Sequence, residues 1–163
     1  MSLHEWPHIL KRLKKGSPLL GLDLGTKTIG VAISDPEWKQ ASPLLTLKRK
    51  KIPADLASLA GLAGERGARG FVIGLPLNMD GSEGPMAEMI RAFVKLMLAH
   101  QSLFSGEPEI ALFDERLSSA VVERFLIQSD VSRARRKEVV DKLAAQAILQ
   151  AALDQWQNQQ KAS

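Results

Sequence analysis

The stretch LLGLDLGTKTIGVAIS, residues 19–34, constrains the fold more than any other part of the chain. Leu19–Leu24 is a near-continuous apolar run, the pattern of a central strand covered on both faces. Gly25 and Thr26 offer a tight turn. Thr28–Ser34 then alternates, with Ile29, Val31 and Ile33 on one side and Thr28, Gly30, Ala32 and Ser34 on the other. Together the two runs predict a β-hairpin inside a larger sheet. Asp23 interrupts the first of them. Aspartate is disfavoured in strands, and a covered, ionised carboxylate is costly unless a cation or a set of donors compensates it. Glycines at 21, 25 and 30 would let an ion, a phosphate or another backbone approach closely. An aspartate at a strand end, bonded to the Gly25 turn, is the plainer alternative.

The remaining pattern extends the sheet. A third strand is expected around Pro43–Leu47. Residues 53–67 show helical spacing in Leu56, Leu59, Ala60 and Ala63, and Gly70–Leu75 reads as a buried fourth strand. The loop PLNMDGSEGP leads to Pro85, suited to a first helical turn, and a helix is expected to about Ala99 with Ile90, Phe93, Val94 and Met97 on its apolar stripe. Glu109–Phe113 is a fifth strand. Ser118 or Ser119 can cap a helix through Gln128, and a last helix starts near Arg136 and passes Leu149. A hairpin followed by strands alternating with helices describes an α/β fold, a mixed sheet flanked by helices. The expected organisation is a short helical or irregular leader at 1–17, one domain over 18–157 and a tail at 158–163.

Two more acids join Asp23. Asp114, Glu115 and Arg116 follow the strand EIALF directly, at the end where α/β sheets place ligand sites. A solvated loop explains two of these charges more easily than three. Asp141 has Ala144, Ala145 and Ile148 at i+3, i+4 and i+7, so it shares a small apolar stripe on its helix. An acid favoured by the helix dipole is the bland alternative there. Acids so placed suit a divalent cation, since Mg²⁺ takes a few carboxylates together with water and substrate phosphates. His4, His8 and His100 sit in leader or helix-end positions and look incidental.

Charge distribution agrees with an anionic partner. The formal net charge is +4, and basic residues cluster at Lys11, Arg12, Lys14 and Lys15, at Lys48–Lys51, and at Arg133–Lys137. Any one run can be a solvated surface; three beside candidate metal carboxylates favour phosphate contacts, which salt would weaken. Lys27, across the turn from Asp23, and the loop Asn78–Ser82 offer further phosphate donors, although turn formation also explains that loop. The chain has no cysteine, hence no disulfide or thiolate site. No apolar run approaches the roughly 18 residues of a membrane span, so a cytoplasmic protein without membrane contact is expected.

The ordered set DLGTKTIGVAISD, FVIGLPLNMDGSEGP, DERLSS and VDKLAAQAIL, spanning about Leu19 to Leu153, closely resembles the YqgF/RuvX family. The resemblance implies a ribonuclease H-like fold and a metal-dependent nuclease. Its implied role is maturation of the 5′ end of pre-16S rRNA, or resolution of Holliday junctions. It implies Asp23, Glu115 and Asp141 as the metal-binding and catalytic acids, favouring Glu115 over Asp114. The implied ions are two Mg²⁺ or Mn²⁺. It draws attention to Lys27, Asn78, Asp80, Arg116 and Ser118 as motif positions. Lys27, Asn78 and Arg116, with Arg133, Arg135 and Arg136, are the expected substrate-binding residues. The implied partner is pre-16S rRNA, a pre-ribosomal particle or branched DNA, met by a monomer or weak homodimer. Many relatives carry Lys-Arg where this chain has Lys27-Thr28, and DERLST where it has Ser119; neither change touches the acids.

Two rivals remain at this level. The DLGT turn also resembles the first phosphate loop of actin and Hsp70-type ATPases, but those enclose nucleotide between two such domains, which 163 residues cannot supply. A non-catalytic nucleic-acid-binding assembly factor is the other, and the presence of all three acids argues against it.

Overall fold

Among the described residues, six strands build one mixed sheet: β1 (Ser2–Glu5), β2 (Leu19–Leu24), β3 (Thr28–Ser34), β4 (Ala41–Lys48), β5 (Gly70–Leu75) and β6 (Glu109–Asp114), in the order β1-β6-β5-β2-β3-β4. The computed structural model describes residues 2–104, 106–120, 122 and 133–162, apart from the side chains of 2–4 and 133–141. The expected hairpin is present, β2 and β3 pairing antiparallel with Asp23 opposite Gly30. On the other side of β2, β5 and then β6 run parallel to it. Strand β4 pairs antiparallel to β3 at the sheet edge, where Pro43 is tolerated.

Among the described residues, three α-helices cover the sheet: α1 (Ile52–Arg66), α2 (Pro85–Ala99) and α3 (Arg133–Ala162). Helix α1 begins with Pro53 in its first turn. It ends at Gly67, whose N–H donates to the Ala63 and Gly64 carbonyls and whose left-handed φ of 68° turns the Ala68 N–H back to the Ala63 carbonyl at 2.8 Å. Leu20, Leu22 and Leu24 of β2 join Phe71, Ile73 and Ile110 in a core with Leu56 and Leu59 of α1 and Ile90 and Phe93 of α2. The alternate strand residues face α3: Leu19, Val72, Ala111 and Phe113 pack with Ala144, Ala145, Ile148 and Leu149.

Helix α3 lies very close to its face because the residues beneath it are small. A Cβ at Gly21 would stand 2.7 Å from Leu149 Cβ and 3.1 Å from the Ala145 carbonyl; one at Gly74 would stand 2.5 Å from Ile148 Cδ1. At Gly21 the obstacles are a Cβ, fixed by the helix backbone that carries it, and a main-chain carbonyl, so the helix itself must shift. Gly21→Ala is expected to destabilise the protein by about 1–3 kcal/mol through overpacking. Gly74→Ala, opposed by the end of a flexible side chain, should cost less. Denaturant titration of both variants checks the order.

The N-terminal segment differs from the expected leader. Residues 2–5 form an edge strand parallel to β6, and a 3-10 turn, His8–Arg12, buries Ile9 and Leu10 in the core under α3. The pattern is too short for its period to be read. At the other end, α3 starts at Arg133 and continues through Ala162, so residues 158–162 are helical. Most of the helix expected from Ser118 or Ser119 to Gln128 lies outside the described residues; Glu115–Leu117 forms a 3-10 turn before it. Among the described residues, no helix is long and apolar enough to cross a membrane.

Candidate active site

The parallel register brings the first two acids to one end of the sheet. Leu22 is level with Ile73, and Ile73 with Leu112. One residue further, Asp23 is therefore level with Gly74 and Phe113, two strands and about 10 Å across, with Glu115 just beyond the end of β6. Strand alternation places Asp23 on the same face as Gly21, under α3.

Helix α3 supplies the third direction. Its later residues reach the start of β2: Gln157 Nε2 donates to the Trp38 carbonyl, and Trp38 Nε1 donates to the carbonyl of Ser17. Ala145 and Leu149 lie over Gly21. The helix thus runs against β2, and its N-terminal part heads toward Asp23 and Glu115. Asp141 is one turn before Ala145, about 6 Å along the axis, while Asp23 is two residues beyond Gly21, about 6.6 Å along the strand. The two advance together. The Asp141 side chain, like those of Arg133, Arg135 and Arg136, lies outside the described residues.

Glu115 is 5% exposed and Asp23 half-buried. An ionised carboxylate this enclosed is a hard oxygen donor whose charge needs compensation from donors or a cation. Among the described residues, which exclude the Asp141 side chain, no three acidic or imidazole groups gather. Backbone contacts fix Glu115: its carbonyl accepts from Ser118 Oγ at 2.7 Å and from the Ser118 N–H at 3.0 Å. Ser118, a motif position in the sequence, therefore acts on the Glu115 backbone.

Arg116 and Asp114 form a clamp beside it. The Arg116 guanidinium meets the Asp114 carboxylate at 2.7 Å through Nη2 and 3.0 Å through Nε, and Nη1 donates to the carbonyls of Asn78 and Met79 at 3.2 and 3.3 Å. The hydrogen bond from Arg116 holds Asp114 below the usual aspartate range, against the opposing effect of burial. Asn78 turns inward on its own loop, Nδ2 donating to Ser82 Oγ at 2.9 Å. Asp80 accepts from the Ser82 hydroxyl and N–H, which lowers its pKa. Lys27 is exposed on the turn after Asp23.

The basic run at Lys48–Lys51 contains a residue with a different role from the expected phosphate contact. Arg49 is largely buried, paired to Asp55 at 2.9 Å, donating to the Gly25 carbonyl at 2.9 Å and lying 5.2 Å over the Phe93 ring. Its backbone N–H also donates to the Lys27 carbonyl at 2.8 Å. Arg49 thus braces both sides of the turn that follows Asp23. Sequence reading missed this because Arg49 sits inside a run of lysines; the one signal was Asp55 in the first turn of a helix six residues on.

A family model described as "RuvX: Holliday junction resolvase" matches residues 17–155. The chain belongs to the RuvX family. It is 48% identical over 154 residues, 94% of this chain and 82% of the relative, to a protein of Rhodospirillum centenum named "Putative pre-16S rRNA nuclease". A Rhodopseudomonas palustris protein with the same name is 58% identical over 136 residues, 83% of this chain and 82% of its own. Among solved structures, T. thermophilus RuvC in complex with a Holliday junction substrate superposes with a TM-score of 0.54 at 13% identity, covering 86% of this chain and 96% of that one. At that identity the likeness speaks for the fold alone: this RuvX-family chain has the ribonuclease H-like sheet expected from its sequence.

Proposed function

We propose that this protein is a metal-dependent endonuclease that hydrolyses phosphodiesters in structured RNA, in maturation of the 5′ end of pre-16S rRNA. The observation that carries the reading is the placement of Asp23 and Glu115 at the same end of the sheet, on strands separated only by β5, on the side toward which the Asp141 turn of α3 advances. The names of its relatives support the same activity. Asp23, Glu115 and Asp141 would hold two Mg²⁺ or Mn²⁺ ions. Such ions, when bound, acidify water and neutralise charge building on a phosphate.

The chain's own residues do the rest. Asp23 on β2 and Glu115 in the turn directly after β6 are carried at one end of the sheet, which pre-positions the two carboxylates for the substrate. Arg116, already oriented by Asp114, offers a guanidinium at the site's edge, and Lys27 a flexible cation on the opposite rim. Asn78 shapes the loop between them. Arg133, Arg135 and Arg136 at the start of α3 would position the strand through its phosphates without reading sequence. The setting is the bacterial cytoplasm, with a pre-ribosomal particle as partner and a monomer or weak homodimer as the working form.

A second reading, cleavage of branched DNA, is favoured by the description of the family model. Resolving a four-way junction takes two cuts and so a two-fold dimer. The deciding assay offers the full chain a pre-rRNA 5′ leader, unrelated single-stranded RNA and a four-way DNA junction, each with Mg²⁺, Mn²⁺ or EDTA. Leader cleavage that EDTA abolishes is expected. Paired, symmetric cuts in the junction alone would move the assignment to the resolvase.

A further inference from the structure

The loop after β5 holds one apolar side chain in open water beside the acids. Met79 is 99% exposed. Single exposed apolar residues are ordinary; the backbone beneath this one is not. The Asn78 N–H donates to the Ser82 carbonyl, and Gly81 N–H to the Asn78 carbonyl, both at 2.9 Å. Gly81 takes a φ of 88° to close that turn. A bridge between Leu77 and Glu83 seals the base of the loop. Arg116 then ties the Asn78 and Met79 carbonyls to Asp114, the residue before Glu115. This framework points an otherwise unused thioether outward at the same strand ends as Glu115.

A rigid support under an exposed tip fits a ligand contact, because the ordering entropy is spent before the ligand arrives. The ligand chemistry follows from the neighbours. A thioether is polarisable and packs well on aromatic faces. A nucleic-acid strand beside a cationic Arg116 carries such faces, and they are free only where bases are unpaired or unstacked. We infer that Met79 is a stacking contact for one unpaired nucleobase adjacent to the cleaved phosphodiester. The inference rests on the nuclease reading for its placement and adds to it a preference for locally single-stranded substrate.

The test uses the full chain carrying Asp23→Asn, so that bound strands stay intact, with Met79 as wild type, Met79→Ala or Met79→Phe. The probes are 12-residue RNA and DNA oligonucleotides with 2-aminopurine at successive positions, free or annealed to a complement. Met79→Ala is expected to weaken single-strand binding about 3- to 10-fold and to erase a fluorescence change confined to one register. Met79→Phe restores both, and duplex affinity stays level. A response from RNA alone would assign the subsite to ribose-bearing strands; a response from both would assign it to the base. Because the side chain is in solvent, melting temperatures should match. Single-strand affinity unchanged in Met79→Ala, or lost equally for duplex, overturns the inference. Cleavage that depends on Asp23 while Met79 changes nothing would sink this inference alone; a Met79 effect without any Asp23-dependent cleavage would sink the nuclease reading instead.

Discussion

Asp23→Asn should lower metal-dependent cleavage by at least about a hundredfold while the fold stays intact. The substitution keeps the shape of the side chain and removes its charge, which is the property a divalent cation needs. Asp23 sits in the middle of the sheet, between Gly21 under α3 and the Gly25 turn, so an amide of the same size meets no new obstacle. The fold should be retained, since an isosteric amide asks for no repacking of the strand. Glu115→Gln should behave alike, and the double variant should lose little more than either single one, because groups holding one site fail together. The measurement is initial cleavage rate across a Mg²⁺ series, alongside a thermal melt. A wild-type rate in folded Asp23→Asn would remove the metal site from the account and leave a binding module.

The placement of this acid was legible because two rules collide at one position. An apolar strand pattern and a charged residue cannot both be satisfied by burial alone, and functional sites are where such conflicts are tolerated. Glu115 was harder: from residue pattern, Asp114 and Glu115 are equivalent neighbours. The difference appears only in three dimensions, where Asp114 spends its carboxylate on Arg116 and Glu115 turns into the protein. Arg116 itself was expected to bind substrate, and its present bonds also make it the tether of the Asn78–Ser82 loop. The β2–β3 hairpin and the runs that form β5 and β6 were legible from hydrophobic pattern and turn residues. The strand at Ser2–Glu5 was not legible, because four residues show no period and their pairing with β6 joins the first and last of the described strands in sequence order. Local pattern carries no information about such a contact.

Arg49→Ala or Asp55→Ala should be the most destabilising of the substitutions considered, at about 3–5 kcal/mol, because each leaves an uncompensated charge in a nearly dry position. The two side chains are 12% and 4% exposed and meet at 2.9 Å. Asp55 also accepts from the Lys50 N–H at 2.9 Å, so its loss strands a backbone donor at the entry to α1. For a chain of this size the melting temperature should fall by about 6–20 °C. Arg49→Met with Asp55→Leu removes both charges and should recover much of the loss, as paired apolar replacements of buried ion pairs do. The recovered protein is the informative one. Arg49 holds the Gly25 carbonyl, two residues from Asp23, and an apolar side chain cannot replace that bond. If the brace only stabilises, cleavage returns with the fold. If it also sets the turn that aims Asp23, the double variant folds well and still requires more metal for half-maximal rate than the wild type.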